Sequence, residues 1–159
     1  ECKGKWVVLF FYPADFTFVC PTELEALADM NDEFEKLNVQ VLAISQDSPF
    51  VHKAWHESSS AINKINFPML SDINGDLCKM FECYSEDNKQ PLRGTFIINP
   101  EGILKSLEIN HDSIGRSIEE LFRKLSAAIY LSENEGEVCP MNWKPGKTAI
   151  KLPKFSIFK

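Results

Sequence analysis

The order of apolar segments along the chain predicts an α/β fold, a central mixed β-sheet flanked by helices. Strand-like and helix-like runs alternate first, and a hairpin and a final helix follow. Residues 6–12 are continuously apolar and β-rich, as expected for a strand covered on both faces, and residues 39–45 predict a second buried strand. With 159 residues, 44% of them hydrophobic, the chain is long enough for one domain with a real core.

A helix is expected between the two buried strands, over residues 23–37. Its apolar residues recur at spacings of three and four, so they form one stripe. The members of this stripe are Leu24, Leu27, Met30, Phe34 and Leu37. The elements expected next are a helix over 49–57 capped by Asp47 or Ser48, a strand over 67–70, a helix over 76–81 and a polar loop over 86–91.

The last third of the chain is expected to contain a hairpin, a helix and a tail. Residues 95–98 and 103–109 are the strands of the hairpin, and an Asn-Pro-Glu-Gly turn joins them. Ser117 and Glu120 fit a capping box that opens the final helix. From Ser132 the chain is rich in Gly, Pro and Lys without a sustained period. We therefore expect a domain over 1–131 and a C-terminal tail over 132–159.

Charge and hydropathy exclude several classes of function. The net charge is −6 and there is no basic block, so the chain does not resemble a nucleic-acid binder. No apolar run approaches the roughly 20 residues that a membrane span needs, and no secretory signal is visible. We expect a cytoplasmic protein. Because the sequence starts at Glu1 without a methionine, we also expect that a leading segment is missing.

The cysteines form an odd, scattered set, unlike the dense even set of a small secreted scaffold. They are Cys2, Cys20, Cys78, Cys83 and Cys139. This pattern indicates mostly reduced thiols, and we assign no function to Cys2, Cys78 or Cys83. There is no Cys-x2-Cys and no histidine pair at ligand spacing, so no zinc site is predicted. No flavin, haem or other cofactor site is visible either.

The stretch FFYPADFTFVCPTEL, residues 10–24, joins a predicted strand to a predicted helix, and Cys20 lies at the start of that helix. Unpaired N–H groups and a partial positive charge at a helix start favour a thiolate, which is the nucleophilic form of cysteine. Two helix starts compete. Thr17 as N-cap puts Cys20 in the first turn, whereas Thr22 with Glu25 as a capping box puts it just outside. Both leave the sulfur near the positive end.

Pro13, Thr17 and Cys20 match the Pro-x3-Thr-x2-Cys motif of the peroxiredoxins. The wider run resembles the typical two-cysteine branch of that family, close to the bacterial alkyl hydroperoxide reductase C group. The resemblance covers nearly the whole chain and implies a thioredoxin-like fold. It also implies a thiol-dependent peroxidase that reduces hydrogen peroxide and organic hydroperoxides in antioxidant defence.

The resemblance implies four residues that converge on a peroxide. Cys20 is the nucleophile, Thr17 hydrogen-bonds the thiolate or the peroxide, and Pro13 shields the thiolate from water. The cation is Arg93, which begins an RGTF run and offers several donors on a rigid plane. Arg116 matches a second family arginine that assists the site, and Glu23 matches a residue that orients the arginines.

A second motif, EVCPxxWKxG, surrounds Cys139. In the two-cysteine branch this cysteine is the resolving one, and it comes from the partner subunit. The resemblance therefore implies a homodimer with a Cys20–Cys139 intersubunit disulfide, and possibly five dimers in a decamer. A thioredoxin-like protein or a flavoprotein disulfide reductase would reduce the disulfide.

Two rival functions remain to be distinguished. A thioredoxin-type reductase requires Cys-x-x-Cys, but position 23 is Glu23. A non-catalytic holdase would keep its activity after Cys20→Ser. His52, His56 and His111 are expected in polar surroundings and without a metal role, and Trp55 is expected to be a packed aromatic residue.

Overall fold

A computed structural model describes residues 2–153, and these fall into two compact units that divide after Ile118. The first unit contains a five-stranded sheet, and the second contains most of a long helix and a two-stranded sheet. The last six residues of the predicted tail, 154–159, lie outside the described residues. Among residues 2–153, no helix has both the length and the apolar character needed to cross a membrane.

The strands are β1 (Trp6–Phe11), β2 (Val39–Ser45), β3 (Met69–Ser71), β4 (Tyr84–Ser85), β5 (Gln90–Pro91), β6 (Arg93–Ile98), β7 (Leu104–Asn110), β8 (Glu137–Val138) and β9 (Ile150–Lys151). The α-helices are α1 (Cys20–Asp29), α2 (Asn31–Lys36), α3 (Pro49–Ser58), α4 (Asp76–Met80) and α5 (Ile118–Glu133).

The large sheet has the strand order β3-β2-β1-β6-β7. β1 runs parallel to β2, and β2 runs parallel to β3. β6 is antiparallel to both β1 and β7. Phe10 in the central strand therefore lies opposite Ala43 on one side and Thr95 on the other. The predicted α/β class with a mixed central sheet is confirmed.

Neighbouring side chains of β1 lie on opposite faces of this sheet, because successive side chains of a strand point in opposite directions. Phe11 packs into an apolar cluster with Ile44, Cys78 and Phe96, and its ring meets that of Phe96 edge-on at 5.7 Å. Burying each of these large side chains contributes about 2 kcal/mol. Phe10 points to the opposite face, and this is the face on which the candidate site lies.

Several predicted elements are confirmed closely. β2 has the predicted bounds, and α3 starts at Pro49 as predicted. Of the two predicted caps, Ser48 is the N-cap, since its side chain accepts a hydrogen bond from the backbone N–H of Val51. The hairpin of β6 and β7 forms around the predicted turn, where the N–H of Gly102 donates to the carbonyl oxygen of Asn99.

The prediction of one helix over 23–37 is wrong. The helix begins three residues earlier and breaks at Met30, where φ is −102° and ψ is 0°, so α1 and α2 are separate helices. Leu24 and Phe34, on either side of the break, are both fully buried. The apolar stripe therefore continues across the break, which is why its period did not reveal it.

Both predicted caps of this helix are also wrong. Val19 is the N-cap, and no side chain caps α1. The Thr17 hydroxyl donates to the carbonyl oxygen of Ala14 at 2.8 Å, and the Thr22 hydroxyl donates to that of Val19 at 2.6 Å. Each hydroxyl is thus bonded to a carbonyl of the preceding turn, and Cys20 is the first residue of the helix.

Two small hairpins were not predicted. β4 and β5 pair where a polar loop was expected over 86–91, and β8 pairs with β9 inside the predicted tail. Each of these strands has two residues, which is too short for an alternating pattern to be recognised.

Candidate active site

Cys20 opens α1, and its side chain is fully buried. At this position the unpaired N–H groups and partial positive charge of the helix start lie near the sulfur, so they favour a thiolate. Pro21 follows in the first turn, where a residue without an N–H costs the helix no hydrogen bond. The local sequence thus places a nucleophile at the positive end of a helix.

Arg93, the first residue of β6, contacts this sulfur directly. Its Nη1 lies 3.3 Å from the Sγ of Cys20 and 2.7 Å from Oε2 of Glu23. Its Nε donates to the backbone oxygen of Asp112 at 2.7 Å, which fixes the plane of the guanidinium. The residue is 3% exposed. It is therefore not a surface cation, and one face of the sulfur has a fixed hydrogen-bond donor.

Glu23 joins a second arginine to the same cluster. Its Oε1 accepts from the backbone N–H of Arg116 at 2.8 Å and from the Nε at 2.9 Å, and its Oε2 accepts from Nη2 at 3.0 Å. Arg116 also donates to the Thr95 hydroxyl at 3.0 Å, and its guanidinium carbon lies 3.3 Å above the ring centre of Phe10. Glu23 therefore holds both guanidinium groups in place.

The charges of this buried cluster balance. Burial alone would raise the pKa of Glu23, but the hydrogen bonds and charge of Arg116, together with the charge of Arg93, hold it below its usual value. Two guanidinium cations are thus matched by one carboxylate and, when Cys20 is ionised, by one thiolate. The sulfur of Cys20 therefore lies beside two buried cations and one carboxylate.

The loop between β1 and α1 contains the other two predicted site residues. Pro13 is buried and Thr17 is half-buried. Since the single proton of the Thr17 hydroxyl goes to Ala14, the oxygen is left as an acceptor and not as a donor. Phe16 has a left-handed backbone, with φ of 56°, which is strained for a bulky residue and must be held by its surroundings.

Cys139 lies in the second unit, directly after β8. The nearby Trp143 is buried, and its ring centre lies 4.9 Å from that of Tyr130 with the rings tilted by 43°. Its carbonyl oxygen accepts a hydrogen bond from Arg123. Burial and the charge of Glu137 raise the pKa of the Cys139 thiol, and Arg123 opposes that rise. Cys139 is partly exposed.

The remaining buried cysteines belong to the hydrophobic core. Burial raises the pKa of Cys78 to about 11 and that of Cys83 to about 12. Both are fully buried, and the backbone N–H of Cys83 donates to the carbonyl oxygen of Cys78. They remain protonated at neutral pH and are poor nucleophiles.

One prediction about the histidines is wrong. His52 was expected in polar surroundings, but it is buried in a pair with Asp15, with Nδ1 and Oδ2 2.7 Å apart. The only trace of this in the sequence is that His52 lies one helical turn before Trp55, which is buried as predicted. In the part of the chain that the structure describes, no group of three or more His, Cys, Asp or Glu residues is placed to hold a metal ion.

Comparison with known proteins identifies the family. Residues 1–107 match the model of the AhpC/TSA family, and residues 128–154 match the model described as the C-terminal domain of 1-Cys peroxiredoxin. Alkyl hydroperoxide reductase C of Escherichia coli (strain K12) is 47% identical over 150 residues, which cover 94% of this chain and 80% of that protein.

Solved structures support the same family assignment. The crystal structure of Enterococcus faecalis AhpC has a TM-score of 0.85 and 47% identity, covering 87% of this chain and 83% of that one. The reduced 2-Cys peroxiredoxin of Plasmodium vivax has a TM-score of 0.88 and 39% identity, covering 93% and 78%. Fold and likeness together define a thiol-dependent peroxidase with a thioredoxin-like fold. The chain belongs to the AhpC/TSA family of peroxiredoxins.

Proposed function

We propose that Cys20 is the peroxidatic cysteine of this peroxidase. The observation that carries the proposal is the 3.3 Å contact between its sulfur and the Nη1 of Arg93, inside a buried cluster whose charges balance when the sulfur is a thiolate. A buried thiolate with a fixed cation beside it is suited to attack an O–O bond, because the same donor stabilises charge on the departing oxygen.

The first step is a two-electron oxidation of the sulfur. The Cys20 thiolate attacks the terminal oxygen of the peroxide, a sulfur–oxygen bond forms and the O–O bond breaks. The other oxygen leaves as an alcohol or as water after it takes a proton, and Cys20 becomes a sulfenic acid. Arg93 stabilises the departing oxygen, and Thr17 accepts the hydrogen bond of the peroxide O–H.

The other residues of the site act on these groups. Glu23 holds both guanidinium groups in position, and Arg116 adds positive charge beside Arg93. Pro13, buried in the same loop as Thr17, keeps water from the sulfur. The burial of these three side chains supports the proposed roles, as do the contacts of Glu23 and Arg116.

The second step uses Cys139 of a partner subunit. Its sulfur attacks the sulfenic acid, water leaves and an intersubunit disulfide forms. Residues 1–131 thus carry the peroxide site, and the tail over 132–159 carries the resolving thiol. The edge strand β7 supports a homodimer, because Leu107 and Ile109 on one of its faces are 55% and 37% exposed. Exposed Phe18 and Phe50 offer further apolar surface for assembly of dimers into a decamer.

An external dithiol protein returns the enzyme to its reduced form by thiol–disulfide exchange. A thioredoxin-like protein or a flavoprotein disulfide reductase has this chemistry. Hydrogen peroxide and organic hydroperoxides are the proposed substrates, in line with the name of the Escherichia coli relative. The free thiols of the described residues fit a reducing compartment, so we place the enzyme in the cytoplasm.

Trapping of the sulfenic acid tests the role of Cys20. The reduced Cys139→Ser variant is mixed with hydrogen peroxide and dimedone, and the adduct is located by peptide mass spectrometry. We expect the adduct on Cys20 and none in Cys20→Ser, which also stops consuming peroxide. An adduct on Cys78 or Cys83, or full activity in Cys20→Ser, contradicts the proposal.

A further inference from the structure

A histidine of α3 and an aspartate of the loop between β1 and α1 form a buried pair that the proposed function does not use. His52 is 5% exposed, and its Nδ1 lies 2.7 Å from Oδ2 of Asp15. Its other ring nitrogen, Nε2, lies 3.3 Å from the carbonyl oxygen of Leu70. The imidazole is therefore held between a carboxylate and a carbonyl.

These two partners determine the protonation state of the ring. A carbonyl and an ionised carboxylate only accept hydrogen bonds, so the imidazolium, in which both ring nitrogens donate, satisfies both contacts at once. The Asp15 carboxyl also accepts from the Tyr12 hydroxyl at 2.7 Å. This geometry favours the imidazolium form of His52.

The same carboxylate is at the centre of the loop that precedes Cys20. Asp15 lies midway between Pro13 and Thr17, and its backbone N–H donates to Oδ2 of Asp47 at 2.8 Å. The Ser45 hydroxyl donates to that same oxygen at 2.8 Å. The loop is therefore anchored through Asp15 to the end of β2 and to α3.

Trp55 holds the loop at a second point, one helical turn after His52. Its ring lies 5.8 Å from that of Phe16 and 6.4 Å from that of Tyr12. Phe16 is the residue with the strained left-handed backbone, so this conformation depends on contacts from outside the loop. One face of α3 thus supplies both an ion pair and an aromatic contact to the segment between β1 and α1.

We propose that His52 is a positioning residue for the peroxidase reaction, and that its imidazolium, acting through Asp15, keeps the Pro13–Thr17 loop in the conformation that accepts the peroxide. The inference rests on the proposed role of Cys20 and extends it. Loss of the His52 proton leaves the buried Asp15 charge without a cation beside it, so this anchor of the loop is weakened and peroxide is held less well.

The groups that face His52 make this device respond to rising pH. Burial would lower the pKa of His52, but the hydrogen bond and charge of Asp15, with smaller contributions from Leu70 and Asp47, raise it above its usual value. Tyr12, the remaining titratable group of the network, has its pKa raised by burial and by Asp15, so it stays neutral. The anchor is therefore weakened as the pH rises through the pKa of folded His52, which lies above the ordinary histidine value.

His56 provides a matched control. It lies one turn further along α3, and with His52 and Lys53 it lines an open cavity of about 410 Å³. Its Nε2 is 3.2 Å from the carbonyl oxygen of Ile65, and no carboxylate of the described network faces it. A change at His56 removes an imidazole from the same helix without touching the loop.

The experiment combines two measurements. The ¹⁵N chemical shifts of the histidine rings of the reduced wild type are followed from pH 6 to 10. Stopped-flow oxidation by hydrogen peroxide is measured over the same range for the wild type, His52→Gln and His56→Gln. Peroxide consumption by Cys20→Ser is measured in parallel, so that failure of the proposed function is seen separately.

We expect a doubly protonated His52 ring at pH 7, and a wild-type rate constant that falls where the ring loses its proton. His52→Gln should be oxidised about tenfold more slowly at pH 7 and lack this alkaline fall, while His56→Gln should stay within about twofold of the wild type and keep it. A neutral His52 ring at pH 7, or a His52→Gln rate within about twofold of wild type, overturns the inference. Should His52→Gln not fold, a wild-type rate that stays constant while the ring loses its proton overturns it as well.

Discussion

The Nη1 of Arg93 lies 3.3 Å from the Sγ of Cys20, although 73 positions of sequence separate the two residues. The contact joins the first residue of β6 to the first residue of α1, and Glu23 bonds to the same nitrogen at 2.7 Å. Because all three side chains are buried, the donor is fixed before any peroxide arrives and needs no reorganisation during the reaction.

Replacement of Arg93 by lysine should slow peroxide reduction severely. Lysine keeps the charge but loses the planar fork that bonds Asp112, Glu23 and Cys20 together. We expect kcat/KM for hydrogen peroxide to fall about 100-fold, as on loss of an oxyanion donor, measured by stopped flow. The control is Lys64→Gln, which removes an exposed cation paired with Glu25 on α1. A rate for Arg93→Lys close to that of this control contradicts the role of Arg93.

Replacement of Glu23 by glutamine should destabilise the protein and also slow its reduction of peroxide. The change leaves two buried guanidinium groups without their carboxylate, and breaking such a pair costs about 3–5 kcal/mol of unfolding free energy. Urea unfolding at pH 7 measures this cost. Glu33→Gln is the matched control, since Glu33 is 53% exposed in its pair with Lys36, and a change below about 0.5 kcal/mol is expected there.

The same carboxylate predicts a pH dependence of stability. The pKa of folded Glu23 lies below its unfolded value, so its contribution is complete above the unfolded pKa and is lost as the pH falls through the folded pKa. Wild-type stability should therefore decline in acid more steeply than that of Glu23→Gln. Parallel stability curves for the two proteins between neutral pH and acid would show that Glu23 is not the group responsible.

Cys78 and Cys83 should take no part in turnover. Their pKa values of about 11 and about 12 and their complete burial keep them as protonated thiols. In the folded enzyme at pH 8, iodoacetamide should label Cys139 well before either of them, as read by peptide mass spectrometry. The Cys78→Ala variant should lose stability by about 1–2 kcal/mol while its kcat/KM is unchanged. Early labelling of Cys83 would point to a second redox pair.

Resolution by Cys139 should become faster when Glu137 is neutralised. Burial and the Glu137 charge raise the pKa of Cys139, so Glu137→Gln lowers that pKa and increases the thiolate fraction at neutral pH. We expect disulfide formation at pH 7 to accelerate about twofold, since a lower pKa also reduces nucleophilicity. Glutamine can still accept from the Tyr130 hydroxyl. Glu135→Gln, which makes the same charge change two residues away on the exposed surface, should leave the rate unaltered.

Local sequence patterns predicted those elements of the fold well that a few adjacent residues determine. The apolar run of β1 and the Ser48–Pro49 start of α3 are decided within a few residues, and both were predicted closely. The break at Met30 was missed because the buried stripe passes through it. Strands as short as β4 and β8 have two residues each, so the sequence carries no alternating pattern for them.

In the candidate site too, features decided by adjacent residues could be predicted, and contacts between distant residues could not. Cys20 at a helix start follows from adjacent residues, whereas its contact with Arg93 was implied by family resemblance alone. His52 was missed because its partner, Asp15, is 37 positions away on another element. A single histidine gives no indication in the sequence that it forms a buried ion pair with so distant a residue.

The most direct test is a non-reducing gel after addition of a single equivalent of hydrogen peroxide to the reduced wild type, Cys20→Ser and Cys139→Ser. The proposed mechanism predicts a covalent dimer in the wild type, absent from both variants, with Cys20 and Cys139 in one disulfide-linked peptide by mass spectrometry. A wild type that consumes peroxide yet runs as a monomer contradicts intersubunit resolution. It would favour a one-cysteine route.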